Sequence, residues 1–391
     1  MTSNMNRRRF VRTLAQGLAI APVAAQGWRA MAADSSNNIL LVGTQTQASS
    51  KGIYAYRWNS DAGELTAIGL AAWADNPTFL ALSPDRKYLY AANEIDHFGG
   101  AKSGGVSAFS VGGDSGKLTF IDAVPAEGTG TCHVTIDQTG RAVFCANYNN
   151  GSIASFHVDA SGGLSQPVSH FQFEGHGPDH ERQEGPHAHR VTVSPDNHFL
   201  LVNDLGLDCI HIYKLDAATA KLTPNSPAQW NSDPGAGPRA LRFHPNGRWA
   251  YCVEEMACAV VVLRWDAKAG TLTPVQKVSI KTDGFTGDTM TGSEIVITRD
   301  GKFAYAADRG DDTLSSFEVD PATGKLTFLA RTSCGGKVPR HIALDPTEKW
   351  LLVANQSSDD IAIIRRDESS GKLAEKATNS GISKPQCLVF L

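Results

Sequence analysis

Six side chains stand out for the chemistry they could perform: His187, His189, Arg239, Glu255, Arg309 and Arg340. Arginine offers a rigid fork of donors for a carboxylate, a phosphate or a developing oxyanion. A glutamate or histidine among such groups can move a proton. Combined, they suit the addition of water to an ester carbonyl, with a base activating the water and arginine holding the oxyanion. No G-x-S-x-G phrase occurs, so a serine nucleophile has little support. The segment from Gly162 to Arg190 also carries His170, His176 and His180, and a His-x-His on a strand would put two rings on one face. Asp179 and Glu184 lie nearby without completing a convincing ligand set, so neither metal nor cofactor is expected. A lid or wall over the site is the favoured role for this insertion.

These residues are far apart in sequence, so a repeating architecture must gather them. A phrase ending in Leu-Thr or a close variant recurs seven times, with its leucine at 65, 118, 164, 222, 272, 326 and 373. Between the copies lies a turn phrase such as Ser83-Pro84-Asp85-Arg86, Ser194-Pro195-Asp196-Asn197 or His244-Pro245-Asn246-Gly247. Proline followed by Asp, Asn or Gly supplies the preset and positive φ values of a tight turn. Strand-length runs rich in β-branched and aromatic residues follow each turn, as in Tyr88–Asn93 and Trp350–Asn355.

About four strands in about 50 residues is the mark of a propeller blade. The expected fold is all-β: one seven-bladed β-propeller over residues 33–391, with four-stranded blades. Ile39–Val42 should close the ring against Gln386–Phe390, hiding both edges.

Each hairpin around a turn phrase sends its two far ends to the opposite face of the disk. Those ends read Asn76-Pro77 with Asn93-Glu94, Cys132-His133 with Asn147-Tyr148, and His187-Ala188-His189 with Asn203-Asp204. The next three are Gly237-Pro238-Arg239 with Glu254-Glu255, Ser293-Glu294 with Asp308-Arg309, and Pro339-Arg340-His341 with Asn355-Gln356. A binding or catalytic site at that mouth of the channel is therefore expected. Glu255, Arg239, His187, His189 and Arg309 are the candidate catalytic residues. Arg340, Arg182, Asp204, Asn147 and His133 are the candidate substrate-binding residues.

Residues 1–32 read as an export signal. Arg7-Arg8-Arg9-Phe10 fits the twin-arginine pattern, an apolar run spans 13–25, and Ala30-Met31-Ala32 resembles a cleavage site. The expected compartment is the periplasm, with the twin-arginine export machinery as a partner of the precursor. The run is too short to cross a bilayer, so no stable membrane insertion is expected. With 36 Lys+Arg against 40 Asp+Glu, the net charge of −4 argues against a nucleic-acid partner. Seven cysteines without a C-x-x-C give no disulfide framework; Cys132 and Cys145 flank one turn and could pair, but quiet burial is the favoured fate.

The chain resembles the lactonase family of seven-bladed propellers, which includes bacterial 6-phosphogluconolactonases of the propeller type and fungal carboxy-muconate lactonising enzymes. The carrying phrases are Arg182-Gln183-Glu184-Gly185-Pro186-His187-Ala188-His189, Asn203-Asp204-Leu205-Gly206, Gly237-Pro238-Arg239, Glu254-Glu255-Met256 and Pro339-Arg340-His341. The resemblance implies a His, an Arg after Gly-Pro, a Glu sixteen residues later and a further Arg at the channel mouth. These fall on His187 or His189, Arg239, Glu255 and Arg309. Ala240 stands where relatives often carry His, and Glu254 where many carry Asn; both are expected to touch the site.

The expected function is hydrolysis of a sugar lactone, such as gluconolactone or its 6-phosphate, in carbohydrate metabolism. The alternatives are a muconate-type lactonising cycloisomerase and a non-catalytic binding or scaffold propeller.

Overall fold

The structure, a computed structural model, describes residues 38–391 apart from Asp288. The export signal read in residues 1–32 lies outside the described residues.

Seven four-stranded antiparallel sheets are arranged as blades around a central channel, six of them running from an inner to an outer strand in chain order. The inner strands of blades 1 to 6 are Pro77–Leu82, Thr131–Ile136, Ala188–Val193, Pro238–Phe243, Thr291–Ile297 and Pro339–Leu344. Blade 7 is composite. Its inner strand is the C-terminal Pro385–Phe390, and its other three are Asn38–Thr44, Gly52–Asn59 and Glu64–Trp73. Leu40 pairs with Phe390, Leu41 with Val389 and Val42 with Leu388, so the ring closes as the repeat count implies.

Apolar side chains fill the seven spaces between neighbouring blades. Between blades 4 and 5, for example, Tyr251, Val253, Val260 and Val262 meet Ala304, Ala306 and Phe317, all fully buried. Central strands are covered on both faces, which explains their continuous apolar runs.

The two repeat phrases lock together across these spaces. The hydroxyl of Tyr251 in blade 4 donates to the carbonyl of Gly324 in blade 5 at 3.0 Å. Tyr90 does the same to Gly162 at 3.1 Å and Tyr305 to Gly371 at 2.7 Å. Gly324 has φ +70°, and a Cβ there would sit 2.5 Å from the Trp249 ring. The glycine of the Leu-Thr phrase is thus required twice, by its turn and by the aromatic side chain of the preceding blade.

Cys132 and Cys145 do not pair. Cys145 lies opposite Val134, whereas the Cys132 thiol points to the carbonyl of His189 in the next blade, 3.3 Å away. All seven cysteines are buried free thiols.

Removing one inter-blade tie should loosen the ring without touching its mouth. Tyr251→Phe leaves the Gly324 carbonyl without its donor and should cost about 1–3 kcal/mol. Urea unfolding would show this as a lower midpoint at unchanged slope, with turnover unaffected.

Candidate active site

A β-bulge near the mouth end of every inner strand builds the site. In blade 1 Pro77 pairs with Asn93 and Phe79 with Ala92, leaving Thr78 as the extra residue. The same slip leaves Cys132, His189, Arg239 and Arg340 extra in blades 2, 3, 4 and 6. In blade 5 it spans Ser293-Glu294, and in blade 7 it passes over Gln386. A bulge re-aims its side chain and breaks the strict two-residue alternation. Consecutive residues can then face the channel, and Thr78-Phe79, Cys132-His133, His189-Arg190 and Arg340-His341 all line one cavity there.

A second ring is formed by residues at or just past the end of the next strand outward. Glu94, Tyr148 and Glu255 hold equivalent places, each donating its backbone N–H to a carbonyl just before its own inner strand. With Arg309 they line an open cavity of about 190 Å³, completed by Cys132, Arg182, His189 and Arg340.

Glu255 is the electrostatic centre of this mouth. Its Oε1 accepts from Arg182 Nη2 at 2.6 Å. Its Oε2 is ion-paired with Arg239 Nε at 2.9 Å and Arg309 Nη2 at 2.7 Å. Burial pushes the Glu255 carboxyl up, but Arg309, Arg239 and Arg182 outweigh it and bring it down to about 2. Arg239 is fixed further by donating to the Ser293 carbonyl. Its proton affinity is lowered by burial first, then by Arg309 and Arg340, yet a guanidinium keeps its charge at neutral pH.

His189 is buried among these cations, and burial followed by Arg239, Arg340 and Arg309 holds it far below its ordinary range. It is a neutral imidazole at neutral pH, suited to donating or accepting a hydrogen bond. Arg340 differs from the other mouth arginines: among the described residues its guanidinium makes no hydrogen bond or ion pair, and it faces both cavities.

Below the mouth the channel narrows into a charged floor. Glu294 pairs with Arg190 at 2.7 Å, lies 3.5 Å from Arg242 Nε and 3.8 Å from His341. Phe79 packs between the rings of His133 and His341, with Arg190 over its face.

The structure brings Glu255, Arg239, Arg309, His189, Arg340 and Arg182 together at the mouth, and His133 at the floor. His187 stands behind them: it stacks on Tyr148 at 4.5 Å, and its Nδ1 lies 2.9 Å from the Tyr148 carbonyl. Asp204 and Asn147 do not line the cavity. Asp204 accepts from the backbone N–H groups of His187 and Leu207, and Asn147 bonds Thr131, Ser152 and the Ala126 carbonyl. Ala240 is packed in the core between blades 4 and 5, and the Glu254 carboxylate goes to Lys277 at 2.7 Å. Neither touches the site as expected.

The histidine-rich insertion acts as a wall rather than a ligand cluster. Asp179 Oδ1 accepts from the backbone of Glu181 and Arg182, and the buried Gln183 amide donates to the Leu205 carbonyl, which presents Arg182 to Glu255. His170 lies on an outer strand, and the strand bearing His189 begins only at Ala188, so the His-x-His does not form a flat pair. Among the described residues no group of three or more His, Cys, Asp or Glu could hold a metal ion.

Arg190 and Arg242 were not foreseen. Arg190 directly follows His189, and alternation alone would have turned it away from the channel.

Residues 39–390 match the family model described as lactonase, 7-bladed beta-propeller. The chain belongs to the seven-bladed β-propeller lactonase family. It is 36% identical over 351 residues to the 6-phosphogluconolactonase of Bacillus subtilis, covering 90% of this chain and 97% of that protein. A 6-phosphogluconolactonase of Formosa agariphila is 32% identical, with 82% and 90% covered. Among solved structures, the periplasmic gluconolactonase of Pseudomonas aeruginosa superposes with a TM-score of 0.85 at 33% identity, covering 91% of this chain and 99% of that one. In this lactonase-family fold the Glu255 cluster sits where strand ends from blades 4 and 5 meet the insertion of blade 3.

Neutralising Glu255 leaves three guanidiniums facing one another, and Glu255→Gln should cost about 3–5 kcal/mol in urea unfolding at pH 7. The carboxyl is lowered from 4.5 to about 2, so its charge contributes stability fully above pH 4.5, and this is lost as pH falls through about 2. The gap between wild type and Glu255→Gln should therefore shrink across that window. A gap independent of pH would show that the three ion pairs do not form.

Proposed function

We propose that this chain hydrolyses an aldonolactone to the open acid, and that an unphosphorylated substrate such as gluconolactone suits it best. The observation that carries this reading is the division of charge at the mouth. Three of the four mouth arginines are committed to Glu255, and Arg340 alone is uncommitted. One free guanidinium fits one polarised carbonyl oxygen. A phosphate dianion or a muconate-type diacid would call for further free cations, and would meet the carboxylate of Glu94 on the same wall.

In this mechanism the lactone carbonyl points its oxygen at Arg340, and His189 offers a neutral N–H to the same oxygen. Arg239 and Arg309, held by Glu255, keep the surrounding potential positive as negative charge develops in the transition state. A base on the cavity wall takes a proton from water, and the resulting hydroxide adds to the carbonyl carbon. Collapse of the tetrahedral adduct breaks the ring C–O bond, and the ring oxygen leaves as a hydroxyl. The 6-phosphogluconolactonase name of the Bacillus subtilis relative supports lactone opening, and the Pseudomonas aeruginosa neighbour, a periplasmic gluconolactonase, supports the choice of substrate.

The same reading includes export. Arg7 and Arg8 fit twin-arginine translocation and Ala30–Ala32 a cleavage site, which would leave residues 33–391 as a single propeller domain in the periplasm. Unphosphorylated sugar lactones suit that compartment.

A pH-stat assay of the purified protein with gluconolactone, its 6-phosphate and a muconate lactone tests the proposal. Acid release above the spontaneous rate, with higher kcat/KM for gluconolactone than for its 6-phosphate, is expected. Arg340→Ala should lower kcat by about 10²–10³-fold, the usual effect of losing one oxyanion donor. No release above background anywhere between pH 5 and 8 would sink the hydrolase reading, and preference for the phosphate would overturn the substrate assignment.

A further inference from the structure

Resting on the lactonase reading, we propose that Glu94 is the general base that activates the attacking water. Glu94 directly follows the second strand of blade 1 just as Glu255 follows that of blade 4, three blades away around the ring. Both backbones are pinned alike, Glu94 N–H to the Asn76 carbonyl at 2.9 Å and Glu255 N–H to the Gly237 carbonyl at 2.7 Å. The repeat thus places two carboxylates at equivalent points of one mouth, and both line the same cavity.

Their surroundings separate their roles. Glu255 is bound by three guanidiniums, and a carboxylate held at about 2 has little affinity for a proton from water. The Glu94 carboxylate makes no hydrogen bond or ion pair among the described residues, and its Oε2 is buried without a partner. A buried carboxylate oxygen without a donor needs one, and a water poised between Glu94 and the lactone carbonyl would supply it. The histidines compete poorly. Burial and the neighbouring arginines leave His189 little affinity for a proton taken from water, and His187 is engaged with Tyr148 and Glu184 behind the cavity wall.

Glu94 takes one proton from water as the water oxygen bonds to the lactone carbonyl carbon, and the carbonyl π pair moves onto the oxygen facing Arg340. When the adduct collapses, the ring C–O bond breaks and Glu94 returns its proton to the departing ring oxygen. The new carboxylic acid then ionises to solvent, which is the acid the pH-stat reads.

The test compares wild type, Glu94→Gln and Glu255→Gln on gluconolactone across pH. Glu94→Gln should lose about 10²–10⁴-fold in kcat with KM changed only a few-fold, and lose the acidic limb of the kcat/KM profile. Added formate should restore part of the turnover of Glu94→Ala. Glu255→Gln should keep the acidic limb, since it alters the arginine cluster and not the base. A Glu94→Gln protein that retains near-wild-type kcat and the same acidic limb overturns the base assignment while leaving lactone hydrolysis standing. A wild type inactive on every lactone overturns both. Should Glu94→Gln fail to fold, Glu94→Asp decides: a lowered kcat with the limb retained supports the base, and an unchanged kcat refutes it.

Discussion

One extra residue in each inner strand sets the character of the whole channel. An unbroken strand presents every second side chain to its inner face, so seven such strands would line the axis with a sparse ring. The bulge lets two consecutive residues face inward at the mouth end of the strand. Thr78-Phe79, Cys132-His133, His189-Arg190 and Arg340-His341 are such pairs, and they make two tiers from one turn of the ring. The upper tier carries the exposed chemistry and the lower tier the Glu294 floor that narrows the channel beneath it.

Packing so many cations at one axis has a cost that the two glutamates offset. Desolvation disfavours each buried guanidinium, and neighbouring guanidiniums disfavour it further. Glu255 compensates at the mouth and Glu294 at the floor, and each is held ionised by its arginines. The result is a site whose fixed charges are mutually satisfied before substrate arrives. Such preorganisation leaves only a few groups free to respond to a ligand, and among the described residues they include Arg340, His189 and Glu94.

The repeat phrases revealed the blade, the blade number, the composite closure and the end of the disk where the charged residues converge, because turn chemistry and strand length are local properties. Glu255, Arg239, Arg309 and Arg340 followed from topology alone. What stayed hidden was set by contacts between blades and by the bulge. Strand alternation would turn Arg190 outward, whereas the slip beside His189 turns it in. Asn147 and Asp204 were overvalued because strand-end position says nothing of a side chain's partners, and both are spent holding backbone in place. Glu94 appeared among the strand ends without attracting notice, since its significance lies in having no partner while its counterpart has three.

The composite blade also governs when this molecule can exist as a closed body. Asn38–Thr44 gains its inner neighbour only when Pro385–Phe390 has been made, a contact spanning nearly the whole described chain. Closing a loop of that length carries an entropic cost of about 5 kcal/mol from its length dependence alone. Blade 7 is therefore whole only when Asn38–Thr44 and Pro385–Phe390 are joined in one sheet. A chain cut short before residue 385 would leave Asn38–Thr44 as an open sheet edge, a template for pairing with another chain.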